Sequence, residues 1–289
     1  MHELIDCFTF YEDRIQSYYN ILSYTRRQEN DRSLSNLKSS GGYKGQMTQS
    51  GKRLIKKRLT AWFTAQKIKN KLNSGSGKIR KHNPIFFTLT MSDDTILDHR
   101  EIKRQLMQNY IKQLRYNGDL QEYFWKAELQ KNGRIHFHFV GDTFIKKEEI
   151  QRRWNVIQRK NGLLINFEKK YGHDNPPSTH VRGIKDLKRS ISYVMKYVSK
   201  EETAGEISGG TFRFSKKLLE LKPFNIDDTE LDLYEFKEKM TNETWRSYSN
   251  DFVNTEEIIT DNFFETLPGK LQRKYDEYYL NIYDELYAN

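Results

Sequence analysis

Two β-rich runs, Tyr123 to Gln130 and Arg134 to Val140, are separated only by Lys131-Asn132-Gly133. So short a connection ties them into an antiparallel hairpin, and no other feature restricts the fold of this chain as tightly. In the second run, His136-Phe137-His138-Phe139 alternates. On a strand the two imidazoles project from one face and the two phenyl rings from the other. The imidazoles then stand about 7 Å apart at Cα, close enough to share one ion. Two registers are open. A three-residue loop with Gly133 left-handed sets Glu128 opposite His136, so the carboxylate joins the imidazoles. A two-residue Asn132-Gly133 turn sets Glu128 opposite Phe137, on the wrong face. In the first register, His136, His138 and Glu128 form a donor set with open positions, suited to a divalent ion that also accepts substrate oxygens. With a phosphate substrate that ion is Mg²⁺ or Mn²⁺.

Around the hairpin the chain alternates. Pro84 to Met91 is β-rich, and Asp98 to Tyr116 has helical spacing with Ile102, Leu106, Tyr110 and Leu114 on one stripe. Lys146 to Lys160 reads as a helix. Leu163 to Phe167 and Thr179 to Arg182 read as short strands, Asp186 to Lys200 as a helix, and Thr211 to Phe214 as a further strand. The order β-α-β-β-α-β followed by a helix predicts an α+β fold. Its centre is a ferredoxin-like or RRM-like antiparallel sheet with helices on one face. Met1 to Asn36 shows helical spacing through Ile15, Tyr18, Tyr19 and Leu22, and Lys52 to Leu72 reads as a basic helix. Ser39 to Gly51 and Asn73 to Lys78 read as loop and flexible linker. The tail after Pro223 is acidic, Tyr-rich and expected to be helical. Three domains follow: a helical, basic N-terminal extension (1–78), a catalytic domain (79–222) and an acidic helical C-terminal extension (223–289).

Charge separates these regions. The chain carries 49 Lys plus Arg against 39 Asp plus Glu, a net of +10. From Asn225 onward there are 16 acids and 6 bases, which leaves a net of +20 on residues 1–224. Lys52–Lys81 holds 11 bases and no acid. A basic body of this kind fits a polyanion partner, and Lys52, Arg53, Lys56, Lys57, Arg58 and Lys200 are candidate DNA contacts. Trp62 and Phe63 have spacing that fits either base stacking or packing. The single cysteine excludes a disulfide scaffold and a thiolate zinc site. No run reaches the roughly 18 apolar residues of a membrane span, so a cytoplasmic location is expected. Gly77-Lys78 is not a nucleotide loop: Leu72 stands where the first glycine belongs and Ile79 where Ser or Thr belongs. No ATPase is expected.

The second constellation is Tyr193-Val194-Met195-Lys196-Tyr197-Val198-Ser199-Lys200. On a helix, Tyr193 and Tyr197 lie about 40° apart, with Lys196 and Lys200 beside them. Leu187, Ile191, Val194 and Val198 form a separate apolar face. The aliphatic residues therefore fill the core role and leave the tyrosines for chemistry. A tyrosine can attack phosphorus to form an ester, helped by a cation such as Lys196.

The order Phe86 to Thr90 (FFTLT), His136 to Val140 (HFHFV) and Tyr193 to Lys200 (YVMKYVSK) resembles the three motifs of HUH rolling-circle replication initiators, the Rep proteins of single-stranded-DNA phages, viruses and plasmids. The resemblance covers roughly residues 84–215. It implies the HUH endonuclease fold, with His136, His138 and Glu128 as metal ligands. It also implies Tyr193 as nucleophile with Lys196, and Tyr197 as a second tyrosine like that of two-tyrosine phage initiators. Gly209 to Leu218 (GGTFRFSKKL) is similar to the segment that follows the tyrosine helix in phage Reps. The implied function is a metal-dependent nickase and strand transferase. It cuts single-stranded DNA at a replication origin through a 5′-phosphotyrosine intermediate and rejoins the strands. It would depend on a host helicase and polymerase, because no helicase domain is present. A relaxase or single-strand transposase shares the His pair and tyrosine, and a non-catalytic single-stranded nucleic-acid-binding protein shares the sheet.

Overall fold

The architecture is given by a computed structural model that describes residues 4–10, 14–21, 49–75, 84–93, 97–183, 187–199, 207–227, 244–249, 253–259 and 269–288. In chain order the elements are β1 (Leu4–Phe10), β2 (Arg14–Ile21), α1 (Gln49–Gly75) and β3 (Ile85–Thr90). A helical turn at His99–Glu101 and a π-helical segment at Ile102–Met107 lead into α2 (Gln108–Tyr116). Then come β4 (Tyr123–Leu129), β5 (Ile135–Gly141), α3 (Lys147–Lys160), α4 (Ile165–Tyr171), β6 (Thr179–Gly183), α5 (Leu187–Ser199) and β7 (Phe212–Phe214). The last four are β8 (Asn225–Asp227), β9 (Thr244–Ser249), β10 (Val253–Ile259) and α6 (Gly269–Tyr287).

The chain divides into two units. One comprises residues 44–56, 69–220 and 286–289 and holds an antiparallel sheet in the order β6-β3-β5-β4-β7. The expected β-α-β-β-α-β order and the α+β class are both present here. The odd-numbered residues of β3, β4 and β5 face a core with the helices: Phe87, Trp125, Phe137 and Phe139 pack with Leu106, Tyr110, Leu114, Ile150 and Trp154. The Phe87 and Phe139 rings stack at 4.6 Å, and Phe137 meets the Trp154 indole edge-on at 6.3 Å. The stripe Ile102, Leu106, Tyr110, Leu114 is fully buried, as its spacing predicts. The helix begins where Asp98 accepts hydrogen bonds from the backbone N–H groups of Arg100 and Glu101, with Glu101 reaching back in a capping box. Helices on one face describe α2 and α3. Helix α5 differs, because Tyr193 and Tyr197 pack on Phe86, on the opposite face.

Leu163 to Phe167 is not the expected strand. Leu163 and Leu164 are buried at a turn, and Ile165–Tyr171 is helical, closed by Gly172 in the left-handed region at φ 72°. A five-residue apolar run fits strand and helix equally, and burial decided between them.

The other unit comprises residues 1–43, 57–68 and 221–285. Its sheet runs β8-β1-β2-β10-β9, all antiparallel. The helical spacing read over Met1 to Asn36 is overturned for its described residues, where Leu4–Phe10 pairs with Arg14–Ile21. The tract RIQSYYNI is rich in β-formers, and its pairing partners β8 and β10 lie more than 200 residues away, beyond any local pattern. The tail after Pro223 likewise carries three strands before its helix. Helices are nonetheless present toward both ends, at Gln49–Gly75 and Gly269–Tyr287. Helix α1 runs through the start of the expected Asn73–Lys78 linker, to Gly75. Phe10 and Phe224 meet at 5.5 Å, and Phe224 packs edge-on against Tyr275. Among the described residues no helix is long and apolar enough to cross a membrane.

Candidate active site

Strand β5 is buried on both faces. Its odd positions meet the aromatic core, so its even positions need their own cover and their own polar partners. The hairpin with β4 takes the three-residue register: Glu128 pairs with His136 and Lys126 with His138. Gly133 adopts φ 81° and donates its N–H to the Gln130 carbonyl at 2.8 Å, while the Asn132 side chain accepts from the Arg134 N–H. Gly133 supplies the left-handed conformation that puts Glu128 on the histidine face.

There Glu128, His136 and His138 come together. One ligand atom from each lies within 4.8 Å of the others, and all three residues are buried. The His138 Nε2 and Glu128 Oε1 atoms are 3.1 Å apart. His136 Nδ1 shares a 2.9 Å hydrogen bond with the Thr90 hydroxyl from β3, which leaves Nε2 as the ring atom for a ligand. Two imidazoles and one carboxylate on rigid strands are a donor set for a divalent cation.

Helix α5 lies across the same face. Ile191, Val194 and Val198 are buried, as the apolar stripe predicts. The Tyr197 ring sits 4.0 Å, centroid to centroid, from the His138 ring. Its hydroxyl donates to the Tyr193 hydroxyl at 2.9 Å. Phe86 stacks on Tyr197 at 5.5 Å and meets Tyr193 edge-on at 4.9 Å. Burial pushes the Tyr197 hydroxyl up to about 12; the bond to Tyr193 and the Glu128 charge act in the same direction, and Arg182 opposes them. Lys196 is exposed on this helix, and Lys200 lies outside the described residues.

Three residues of this site escaped the sequence reading. Lys126, 2% exposed, donates its ammonium to the Tyr197 carbonyl at 2.9 Å and so ties β4 to the tyrosine helix. Arg182, on β6, lies over the Tyr193 ring at 4.6 Å. Thr90 orients His136. The signal for Lys126 was available: it stands two residues before Glu128, on the same strand face. Arg182 had none, because the pairing of β6 beside β3 is a tertiary fact.

Of the candidate DNA contacts on α1, Arg53, Lys56 and Lys57 are exposed, and Lys52 and Arg58 are half-buried. Burial lowers the Arg58 guanidinium from its ordinary value. Trp62 and Phe63 are 0% and 2% exposed, so they pack and offer no face to a base.

Comparison with known proteins agrees with this architecture. Residues 84–202 match the family model for replication-associated proteins of the ORF2 type. The match spans the three motifs together with β3 to α5, so the central segment of this chain is a replication-associated domain of that family. No curated protein and no solved structure gives a significant match to the chain.

Proposed function

We propose that the protein is an HUH-type rolling-circle replication initiator that nicks and rejoins single-stranded DNA at an origin. The observation that carries this reading is the juxtaposition on one sheet face of the Glu128-His136-His138 set with Tyr197 and Tyr193. Residues 79–222 are the nuclease domain in this reading, between the extensions 1–78 and 223–289. A Mg²⁺ or Mn²⁺ ion held by Glu128, His136 and His138 would polarise the scissile phosphate and neutralise charge in the transition state.

The chain's own residues do the rest. The Tyr197 hydroxyl donates to the Tyr193 oxygen, so charge develops first on Tyr193, which favours it for the first attack. The Arg182 guanidinium over its ring favours the phenolate. The bond from the Tyr193 oxygen to phosphorus forms as the bond from phosphorus to the 3′ oxygen breaks. The phenolic proton ends on the released 3′-hydroxyl, with Lys196 available to carry it. Tyr197, held through its carbonyl by Lys126, is the second nucleophile that attacks when the circle closes. The phosphodiester energy is kept in the ester, so no nucleotide is consumed. Unwinding and synthesis fall to a host helicase and polymerase, in the host cytoplasm.

The test is covalent capture. Wild-type protein, Mn²⁺ and labelled circular single-stranded DNA from its own replicon should give a protein–DNA adduct. Tyr193→Phe should lose the first adduct, Tyr197→Phe should keep it but fail to rejoin, and the double variant should give none. A wild-type protein that binds the DNA tightly and yields no adduct sinks the proposal.

A further inference from the structure

On the helix face of the same sheet, away from the tyrosines, lies a groove of about 540 Å³ at the β7 edge. Its cations are Arg100, Lys103, Arg104, Lys112, Arg115 and Arg213, and among the described residues no carboxylate lines it. Arg100, Arg104, Lys112 and Arg115 recur along one helical stripe, beside the buried apolar one. All four are exposed, as is Arg213 across the groove on β7. The stripe extends about 20 Å, or roughly six base-pair steps of duplex DNA.

The helix is specialised at this point. Ile102–Met107 is π-helical, a form concentrated at functional sites. The turn after α5 docks onto it: Lys103 donates its ammonium to the carbonyls of Ser208 at 2.5 Å and Gly210 at 2.9 Å. Gly209, at φ 78°, lies against Arg100 and Lys103, where an added Cβ would come within 3.6 Å of both. The Gly209–Leu218 segment, which the tyrosine chemistry does not use, thereby forms one wall. The floor offers little to a base. Tyr123 and Trp125 are 7% and 6% exposed, and Arg115 covers the Tyr123 ring at 5.2 Å. Single-strand grooves present open aromatic faces, whereas a row of cations without them reads phosphates alone.

We propose that this groove binds the phosphate backbone of duplex DNA flanking the nicked strand, as a second nucleic-acid site on the side of the sheet opposite the tyrosines. The inference rests on the DNA-processing reading but not on the tyrosine chemistry. Duplex held there anchors the protein while the single strand is worked on the other face.

The test measures binding of a labelled duplex from the origin flank over a range of salt, using full-length wild type and Arg104→Glu/Lys112→Glu/Arg213→Glu. Wild type should bind with a steep salt dependence. The triple variant should bind roughly tenfold or more weakly, with a log–log salt slope shallower by about 3. Both should form the covalent adduct equally on a short single-stranded oligonucleotide. If the triple variant misfolds, the milder Lys112→Gln/Arg213→Gln, with a slope shallower by about 2, serves instead. Equal duplex affinity and slope in wild type and variant overturns the proposal. So does a loss confined to single-stranded competitor, which would make the groove a single-strand track. Absence of an adduct in wild type, with the duplex effect intact, removes the tyrosine reading and leaves the groove standing.

Discussion

On β5, Phe137 and Phe139 are 0% exposed, and His136 and His138 are 9% and 4% exposed. The two faces of one strand are thus buried almost equally, against different material. Beneath lie Trp125, Trp154, Phe87 and Tyr110, whose contribution is the area they remove from water. Above lie Glu128, Lys126, Thr90 and the tyrosine helix, where each polar group is held by a specific partner. Burial on the first face stabilises the fold. On the second it excludes water from charges that are meant to act on a substrate. A face of this kind adds little net stability and relies on the aromatic face to keep it assembled.

The two faces should therefore fail differently. His136→Ala with His138→Ala removes two of three ion donors and should slow adduct formation roughly 10³-fold or more, about 4 kcal/mol of barrier or greater. A chelator should do the same to wild type, and cleavage kinetics at varied Mn²⁺ measure both. Cleavage that survives the double substitution would erase the distinction. Phe137→Ala, one residue away, should instead cost about 3–5 kcal/mol of stability, read by urea denaturation, while the folded fraction still forms adduct.

The smallest effect sharpens the comparison along the histidine face. Glu122 and Asp142 stand one residue beyond β4 and β5, continuing the positions of Glu128 and His136 to the other end of the hairpin. No histidine joins them. The Ser215 hydroxyl donates to Glu122 at 2.5 Å, and the Gln121 and Glu122 N–H groups donate to Asp142. Burial pushes the Asp142 carboxyl up to about 6, against the backbone donors that hold it down, and it raises Glu122 as well. The folded state binds these protons more firmly than the unfolded chain, whose Asp titrates near ~4. The resulting stability is complete below about pH 4 and is lost as pH rises through about 6. Asp142→Asn should flatten that slope by about 2 kcal/mol between pH 4 and 7. Denaturation curves that move in parallel with pH for wild type and variant would refute it.

Much of this site could be read in the chain. The alternation of His136 to Phe139 set which side chains share a face, because a strand has a period of two. The spacing of Ile191, Val194 and Val198 freed Tyr193 and Tyr197 from the core, because a helix has a period near 3.6. The loop length narrowed the hairpin to two registers. These are local consequences of backbone geometry, and a few residues carry them. The rest depended on distant partners. Gly133 taking φ 81° chose between the registers. Pairing with β8 and β10 made strands of Leu4–Phe10 and Arg14–Ile21, where the spacing predicted a helix. The crossing of α5 onto the histidine face, Arg182 over Tyr193, Lys126 under Tyr197 and the cation groove at β7 each join segments brought together only by the fold. Local pattern records what a residue prefers, and the sheet order decided what it meets, because long-range pairing is settled by the total area and hydrogen bonding that the folded chain satisfies at once.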